Sequence, residues 1–320
     1  MMAAVIQSPG KVELQQVTVP KPDAGQVLVR LEGCGVCASN LPPWLGRPWF
    51  NYPMQPGQLG HEGWGTIVSL GSSADALAVG QRVAMLSDHA YAQYDVADHE
   101  KVVPLPRQLD HMPVPGEPLG CAMTIFDRCG IQAGQTVAVI GVGFLGALMV
   151  RLASMHGARV IAVARREFSL DLARQMGAAE VVPMLDHATI IERVKDLTGG
   201  RFCDVTIEAA GYQWPLDLAG ELTGVRGRLV VAGYHQDGPR QVNMQLWNWR
   251  GLDVINAHER QVEVSVAGIR KAVALLQQGK LDVTPLLTHV FPLSSLGEAL
   301  SLAAQHSDGF VKALVMMKDQ

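Results

Sequence analysis

The sequence predicts an α/β protein in two parts: a β-rich domain with many turns, and a domain built on a doubly wound parallel sheet. Three observations carry this. Up to about residue 117, short β-branched runs such as VLVRLEG (27–33), GTIVSLG (65–71) and RVAML (82–86) alternate with Gly and Pro, which reads as strands bounded by turns. From about residue 136 the rhythm becomes apolar strand, helix, apolar strand, the pattern of parallel strands covered on both faces. Finally, 320 residues at 48% hydrophobic and 18% charged suffice for two cores and exclude a disordered chain.

Taken in order, TVAVIGVG (136–143) is a buried strand entering a glycine-rich turn, and LGALMVRLASMHGA (145–158) has helical spacing of apolar residues. RVIAVA (159–164) is the next strand, a helix follows over roughly 167–177, and EVVP, CDVTIEAAG, RLVVAGY and LDVINA continue the repeat. An amphipathic helix, VAGIRKAVALLQQGKL, and a short tail ending FVKALVMM close the chain. The tail is too small to hold a core alone, so it is expected to pack back onto the first region. The expected domains are therefore 1–117 with 258–320, and 118–257.

A net charge of −4 provides no basic field for nucleic acid. The N-terminal stretch MMAAVIQSPGKVEL breaks at Pro9 and Gly10 after a short apolar run; neither a signal peptide nor a membrane span is expected there. Five scattered cysteines (34, 37, 121, 129 and 203) are an odd set for a secreted disulfide framework, and reduced thiols in a cytoplasmic setting are expected.

Gly141, Gly143 and Gly146 form a G-x-G-x-x-G that follows an apolar strand and opens a helix, with Phe144 and Leu145 in its first turn. In that setting the first glycine permits a tight turn, the second admits a pyrophosphate, and the third lets helix and strand pack closely. The helix N-terminus offers free N–H groups and a positive dipole end to the phosphates. At the end of the next strand an acidic residue would bind a ribose 2′-hydroxyl. Ala164 stands there, followed by Arg165 and Arg166, which favours a 2′-phosphate and hence NADP(H) over NAD(H). Two solvated arginines at a helix start are the alternative.

GCGVCASN (33–40) spaces Cys34 and Cys37 as C-x-x-C. That spacing fits half of a structural zinc site, a redox pair, or one working cysteine beside a buried one. GHEGWGTIVSLG (60–71) sets His61 and Glu62 directly before an apolar run, and EPLGCA (117–122) adds Glu117 and Cys121. Together with Cys37 these make a candidate Cys/His/Glu zinc set with one position open.

These segments resemble the medium-chain dehydrogenase/reductase superfamily, in its zinc-dependent alcohol and polyol dehydrogenase branch. GCGVCASN is similar to the family's G-x-G-x-C-[GR]-[ST]-D, and GHEGWGTIVSLG to G-H-E-x-x-G-x-V-x-x-x-G; VGQRV, EPL, GVGFLG and VKALV extend the match over nearly the whole chain. The resemblance implies a GroES-like catalytic domain and a Rossmann nucleotide-binding domain. It implies that Cys37 and His61 ligate one catalytic zinc, with Glu62 on or just behind the metal. Glu117 holds the third-segment position, and Cys121, four residues on, ranks second. Ser39 matches the hydroxyl that handles the substrate proton, and Lys312 falls near a basic position that approaches the cofactor phosphates.

The implied reaction is hydride transfer between NADP(H) and an alcohol or polyol, or the matching ketone or aldehyde. Alternatives are a zinc-free quinone or enoyl reductase of the same superfamily, or a catalytically silent binding member. Two departures stand out. Asn40 replaces the usual aspartate, removing a charged support for the ligand histidine, and Pro42 stands where some relatives carry a relay histidine. The segment RVAMLSDHAYAQYDVADHEKVVPLP (82–106) contains no cysteine, so a second, structural zinc is not expected. The aromatic stretch Trp44, Trp49, Phe50 and Tyr52 either borders substrate or packs a loop. His258 and Glu259 either face substrate or form a solvated hinge pair, the latter being expected. A homodimer through the edge strand LDVINA is expected.

Overall fold

The structure is a computed structural model that describes residues 1–74 and 76–317. The chain divides into two compact units, Met1–Cys121 with Arg260–Gln320, and Ala122–Glu259.

The first unit opens with a hairpin of β1 (Met2–Ser8) and β2 (Lys11–Gln16). Its main sheet is centred on β3 (Gln26–Gly35), whose ten residues pair antiparallel with both β4 (Gly63–Leu70) and β6 (Tyr94–Asp98). Beyond β4 come β5 (Arg82–Met85) and β7 (Val102–Pro104). On the other side of β3 lie β15 (Ala313–Met316) and then β14 (His289–Pro292). The C-terminal tail thus completes this sheet, with Val315 opposite Cys34. Val27, Val29, Ile67, Val83 and Val315 are fully buried in one core, and each such side chain contributes about 1.5–3 kcal/mol of burial.

The second unit is a six-stranded parallel sheet of β8 (Thr136–Ile140), β9 (Arg159–Ala164), β10 (Glu180–Pro183), β11 (Cys203–Glu208), β12 (Thr223–Val231) and β13 (Asp253–Asn256). The order across the sheet is β10-β9-β8-β11-β12-β13, the doubly wound arrangement in which the chain reverses direction beside its first strand. Ala138, Ile140, Ile161 and Val163 are completely buried, as strands covered on both faces require. The covering helices include α3 (Phe144–Met155), α4 (Glu167–Gln175), α5 (His187–Leu197) and α6 (Gln213–Leu222). Helix α5 begins where the Asp186 carboxylate accepts the Thr189 N–H at 2.9 Å, a side-chain cap for a backbone donor that has no partner in the helix.

The unit boundary falls within α2 (Gly116–Cys129). No helix of the described residues is long and apolar enough to cross a membrane.

Candidate active site

In the first unit, β3 ends at Gly35 and the chain turns through a short 3-10 segment, Ala38–Asn40. Cys37 precedes that turn; its N–H is held by Asn40 Oδ1 at 3.0 Å. Pro42 and Pro43 then start a single helical turn, α1 (Leu41–Trp44), where a missing N–H costs no bond. His61 and Glu62 lie immediately before β4. Glycine at position 35 is forced sterically: a Cβ there would lie 1.8 Å from Glu62 Oε2.

The Sγ of Cys37, a ring nitrogen of His61 and a carboxylate oxygen of Glu62 lie within 4.8 Å of one another. Sulfur, nitrogen and oxygen donors in that cluster suit a zinc ion. Glu62 is completely buried and its Oε2 has no hydrogen-bond partner among the described residues, an orphaned acceptor whose desolvation is costly unless something positive meets it. The residues present therefore fit a metal.

Support for the cluster comes from neighbours that pattern reading did not single out. His61 Nδ1 donates to the Leu59 carbonyl at 2.8 Å, fixing the ring so that Nε2 is the nitrogen available to a metal. Leu59 holds φ at +78° to present that carbonyl, a left-handed conformation that a branched residue adopts only when surroundings enforce it. Asn40 Nδ2 donates to the same carbonyl at 3.0 Å, and the buried Tyr91 hydroxyl donates to Asn40 Oδ1 at 2.8 Å. The charged support expected to be lost at Asn40 is indeed replaced by a neutral one: a backbone carbonyl meets the ring, and the amide holds it.

Lys312, expected near the cofactor phosphates, is buried, and its Nζ donates to Glu62 Oε1 at 2.5 Å. A buried carboxylate requires a cation, and Val36 N–H bonding to the Ala313 carbonyl at 2.9 Å brings position 312 to this site. Burial opposes the charge on Lys312, but Glu62 and Cys37 outweigh it and hold its pKa above the usual lysine range. Burial likewise opposes the charge on His61, yet Cys37, Glu62 and Glu117 together push it up to about 10.

Glu117, in α2, lies outside the 4.8 Å cluster; its Oε1 accepts the Cys121 thiol at 3.1 Å. Burial and the charge of Glu62 raise its pKa. Cys121 is pushed far up by burial and by Glu117, which keeps it a thiol. Ser39 is half-buried, two positions beyond Cys37. Cys34 is fully buried, its thiol donating to the Gly35 carbonyl and its pKa raised by burial. All five cysteines are free.

The aromatic stretch splits. Trp44 is core, Phe50 and Tyr52 pack against that core, and Trp49 is 58% exposed.

In the second unit the glycine turn has the geometry that phosphate binding needs. Gly141 sits at φ +91°, and a Cβ on Gly146 would lie 1.8 Å from the Gly141 carbonyl oxygen. At Gly143 a Cβ would meet no protein atom within 4 Å, so the space over that backbone is open. Gly143 caps α3, with Phe144 and Leu145 half-buried in the first turn. Ala164 is buried at the end of β9, Arg165 is exposed, and Arg166 caps α4. His258 is exposed, its ring 6.1 Å from that of Tyr234 and its carbonyl accepting from Arg128.

Beside the turn, a network escaped the sequence reading. Buried Glu208, at the end of β11, accepts the Ala210 and Gly211 N–H groups at 2.7 Å each through Oε1. Its Oε2 meets His235 at 2.9 Å, and His235 Nδ1 accepts Arg240 Nε at 2.8 Å. A single glutamate in an apolar strand was the one available signal.

Known proteins share this organisation. The family profile described as Alcohol dehydrogenase GroES-like domain matches residues 23–107, and that described as Zinc-binding dehydrogenase matches residues 145–276. Sorbitol dehydrogenase of Bacillus subtilis is 26% identical, with 98% of this chain and 97% of the relative covered. L-threonine 3-dehydrogenase of Pyrococcus furiosus is 26% identical, with 96% and 95% covered. Among solved structures, a zinc-binding dehydrogenase from Sinorhizobium meliloti bound to NADP superposes with a TM-score of 0.86 at 25% identity, with 98% of each chain covered. The chain belongs to the zinc-dependent alcohol and polyol dehydrogenase branch of the medium-chain dehydrogenase/reductase superfamily, and it is an oxidoreductase of that type.

Proposed function

We propose that this oxidoreductase interconverts a small alcohol or polyol with its ketone or aldehyde, using one zinc ion per chain and NADP(H). The observation that carries this reading is the Cys37, His61 and Glu62 cluster with the buried, unpartnered Glu62 Oε2. When bound, zinc supplies Lewis-acid polarisation of the substrate oxygen, and the nicotinamide ring supplies the hydride acceptor.

The chain's own residues do the rest. Cys37, His61 and Glu62 hold the metal, and Glu117 adds a carboxylate at the edge of the set. Lys312 balances the Glu62 charge, so a metal can be held without leaving two buried anions uncompensated. Ser39 Oγ takes the proton of the substrate hydroxyl. Gly141, Gly143 and Gly146, with Phe144 and Leu145 at the start of α3, hold the cofactor pyrophosphate.

NADP(H) is favoured because no carboxylate stands at Ala164 and Arg165 is exposed beside it, with Arg166 next. The NADP-bound structural relative supports that preference. A single zinc is supported by the cysteine-free segment 82–106. Relatives named for sorbitol and threonine support a small hydroxylated substrate. Five free thiols support a reducing, cytoplasmic setting, and β13, at the edge of its sheet, offers the pairing strand of a homodimer.

The test is a panel of alcohols, polyols and carbonyl compounds assayed with NADPH and NADH, and with their oxidised forms. Turnover of at least one secondary alcohol or its ketone is expected, with kcat/KM higher for the phosphorylated cofactor. Equal or better use of NAD(H) would remove the cofactor assignment, and turnover surviving complete metal removal would remove the zinc.

A further inference from the structure

The nucleotide-binding unit has a second concave surface, at the end of its sheet opposite the glycine turn. The turn follows the C-terminal end of β8. The other cavity, about 330 Å³, is lined by the N-terminal ends of β8, β9, β11 and β12. Its lining is rich in glycine and polar groups and carries three guanidinium groups, from Arg159, Arg201 and Arg226, against the single carboxylate of Asp204.

The arginines are not equivalent. Arg159 is anchored, donating to the Leu197 carbonyl at 2.8 Å and to Glu180 at 3.4 Å. Arg201 and Arg226 are exposed and have no side-chain hydrogen bond or ion pair among the described residues. Asp204 is already engaged, its Oδ2 accepting the Thr136 N–H at 2.7 Å. The cavity is thus left with cationic donors that the protein does not satisfy.

The backbone is bent to make it. In the β11–β12 ladder Cys203 pairs with Thr223, but Val205 pairs with Arg228, so residues Gly224–Gly227 loop out at the cavity. Arg226, on that loop, holds φ at +57°, and Phe202, also lining the cavity, holds +62°. Left-handed arginine and phenylalanine are disfavoured where glycine or asparagine would serve. Here two of them line one small cavity, the kind of strain that collects at binding sites.

We propose that this cavity is a binding site for a phosphate group, carried by a small phosphomonoester or present as inorganic phosphate, distinct from the dinucleotide site. Guanidinium groups bind phosphate oxygens through forked, charge-assisted hydrogen bonds. The volume stands at the lower end of the range for small-molecule sites, roughly 300–1,000 Å³, enough for a phosphate and a short organic body and too little for a dinucleotide. At Gly134 a Cβ would meet no protein atom within 4 Å, which lets the ligand approach backbone.

The test is isothermal titration calorimetry on the full chain held in saturating NADPH, with inorganic phosphate, glycerol 3-phosphate and AMP as separate titrants. Variants are Arg201→Ala, Arg226→Gly and, as a control for the cofactor site, Arg165→Ala. Glycine adopts the conformation at position 226 freely, so that variant keeps its fold, which its melting temperature verifies. One ligand per chain is expected, weakened at least about tenfold by either cavity variant and unchanged by Arg165→Ala. Tighter binding of an ester would identify the organic phosphate as the source, and equal binding of inorganic phosphate the free anion. No binding of any titrant, wild-type affinity in both cavity variants, or loss in Arg165→Ala alone would overturn the proposal.

Discussion

The glycine turn and the Cys37, His61 and Glu62 cluster would, under the proposed function, solve the same problem, gripping a charged group, by opposite means. The turn uses six consecutive residues, GVGFLG, and what it offers is backbone: a helix N-terminus, an open surface over Gly143 and close packing at Gly146. The cluster uses side chains drawn from distant segments, with Lys312 and Glu62 separated by 250 positions, and each charge is buried against another. A backbone site is robust to the exchange of neighbouring side chains but intolerant of a single Cβ. A side-chain site tolerates backbone variation but fails when one partner of a buried charge set is lost.

The largest test of this contrast is Cys37→Ala. Lewis-acid activation is worth several kcal/mol, so kcat should fall by roughly a thousandfold while circular dichroism and NADPH affinity stay unchanged. A variant retaining wild-type kcat would show that Cys37 holds no metal the reaction needs.

Asn40→Ala removes the amide that holds both the Leu59 carbonyl and the Cys37 N–H, while the side chains of Cys37, His61 and Glu62 stay in place. Outer supports of this kind change metal affinity by about 10–100-fold, measurable by competition with a chromophoric chelator. Tyr91→Phe should give a smaller loss in the same assay. If neither variant changes affinity, the carbonyl is held well enough by β4 and the preceding loop alone.

Proton linkage comes next in size. With the pKa of His61 raised to about 10 in the metal-free protein, its imidazolium proton must leave when a metal binds. Zinc uptake near pH 8 should therefore release a proton from this group, and affinity should fall about tenfold per pH unit as pH drops below that value. The sign for metal-free stability is the reverse. A raised histidine pKa contributes stability that is fully present below its unfolded value of 6.5 and is lost as pH rises through about 10. Proton release measured with an indicator dye checks the first statement, and urea midpoints across pH check the second.

The turn is tested by a matched pair. Gly146→Ala drives a Cβ into the Gly141 carbonyl and should cost about 1–3 kcal/mol of stability. Gly143→Ala meets no protein atom, so stability should move by less than about 0.5 kcal/mol while the cofactor KM rises several-fold. Equal stability losses in the two would show that the space over Gly143 is not kept for a ligand.

Much of the fold was legible because its signals are local. The apolar strands alternating with helices from 136 onward imply a parallel sheet without reference to any distant residue. The glycine turn was legible for the same reason, and Cys37, His61 and Glu62 through the resemblance of their flanking motifs. What stayed hidden depends on three-dimensional closure. The Leu59 carbonyl is a backbone group with no residue signature, and Tyr91 reads as one more aromatic in a β-rich stretch. The family resemblance sets Lys312 near a position that approaches the phosphates, and it gives no sign that β15 pairs with β3 and brings Lys312 to Glu62. The C-x-x-C spacing of Cys34 and Cys37 was legible as one working cysteine beside a buried one: in the structure one thiol is sealed in the β3 core, and the other stands in the cluster.

The central claim is tested most directly by metal stoichiometry. Protein purified without chelator and measured by inductively coupled plasma mass spectrometry should contain about one zinc per chain, as a single set of three protein ligands holds one ion, and Cys37→Ala should contain almost none. An active wild-type preparation without zinc, or one whose zinc survives Cys37→Ala, would contradict it.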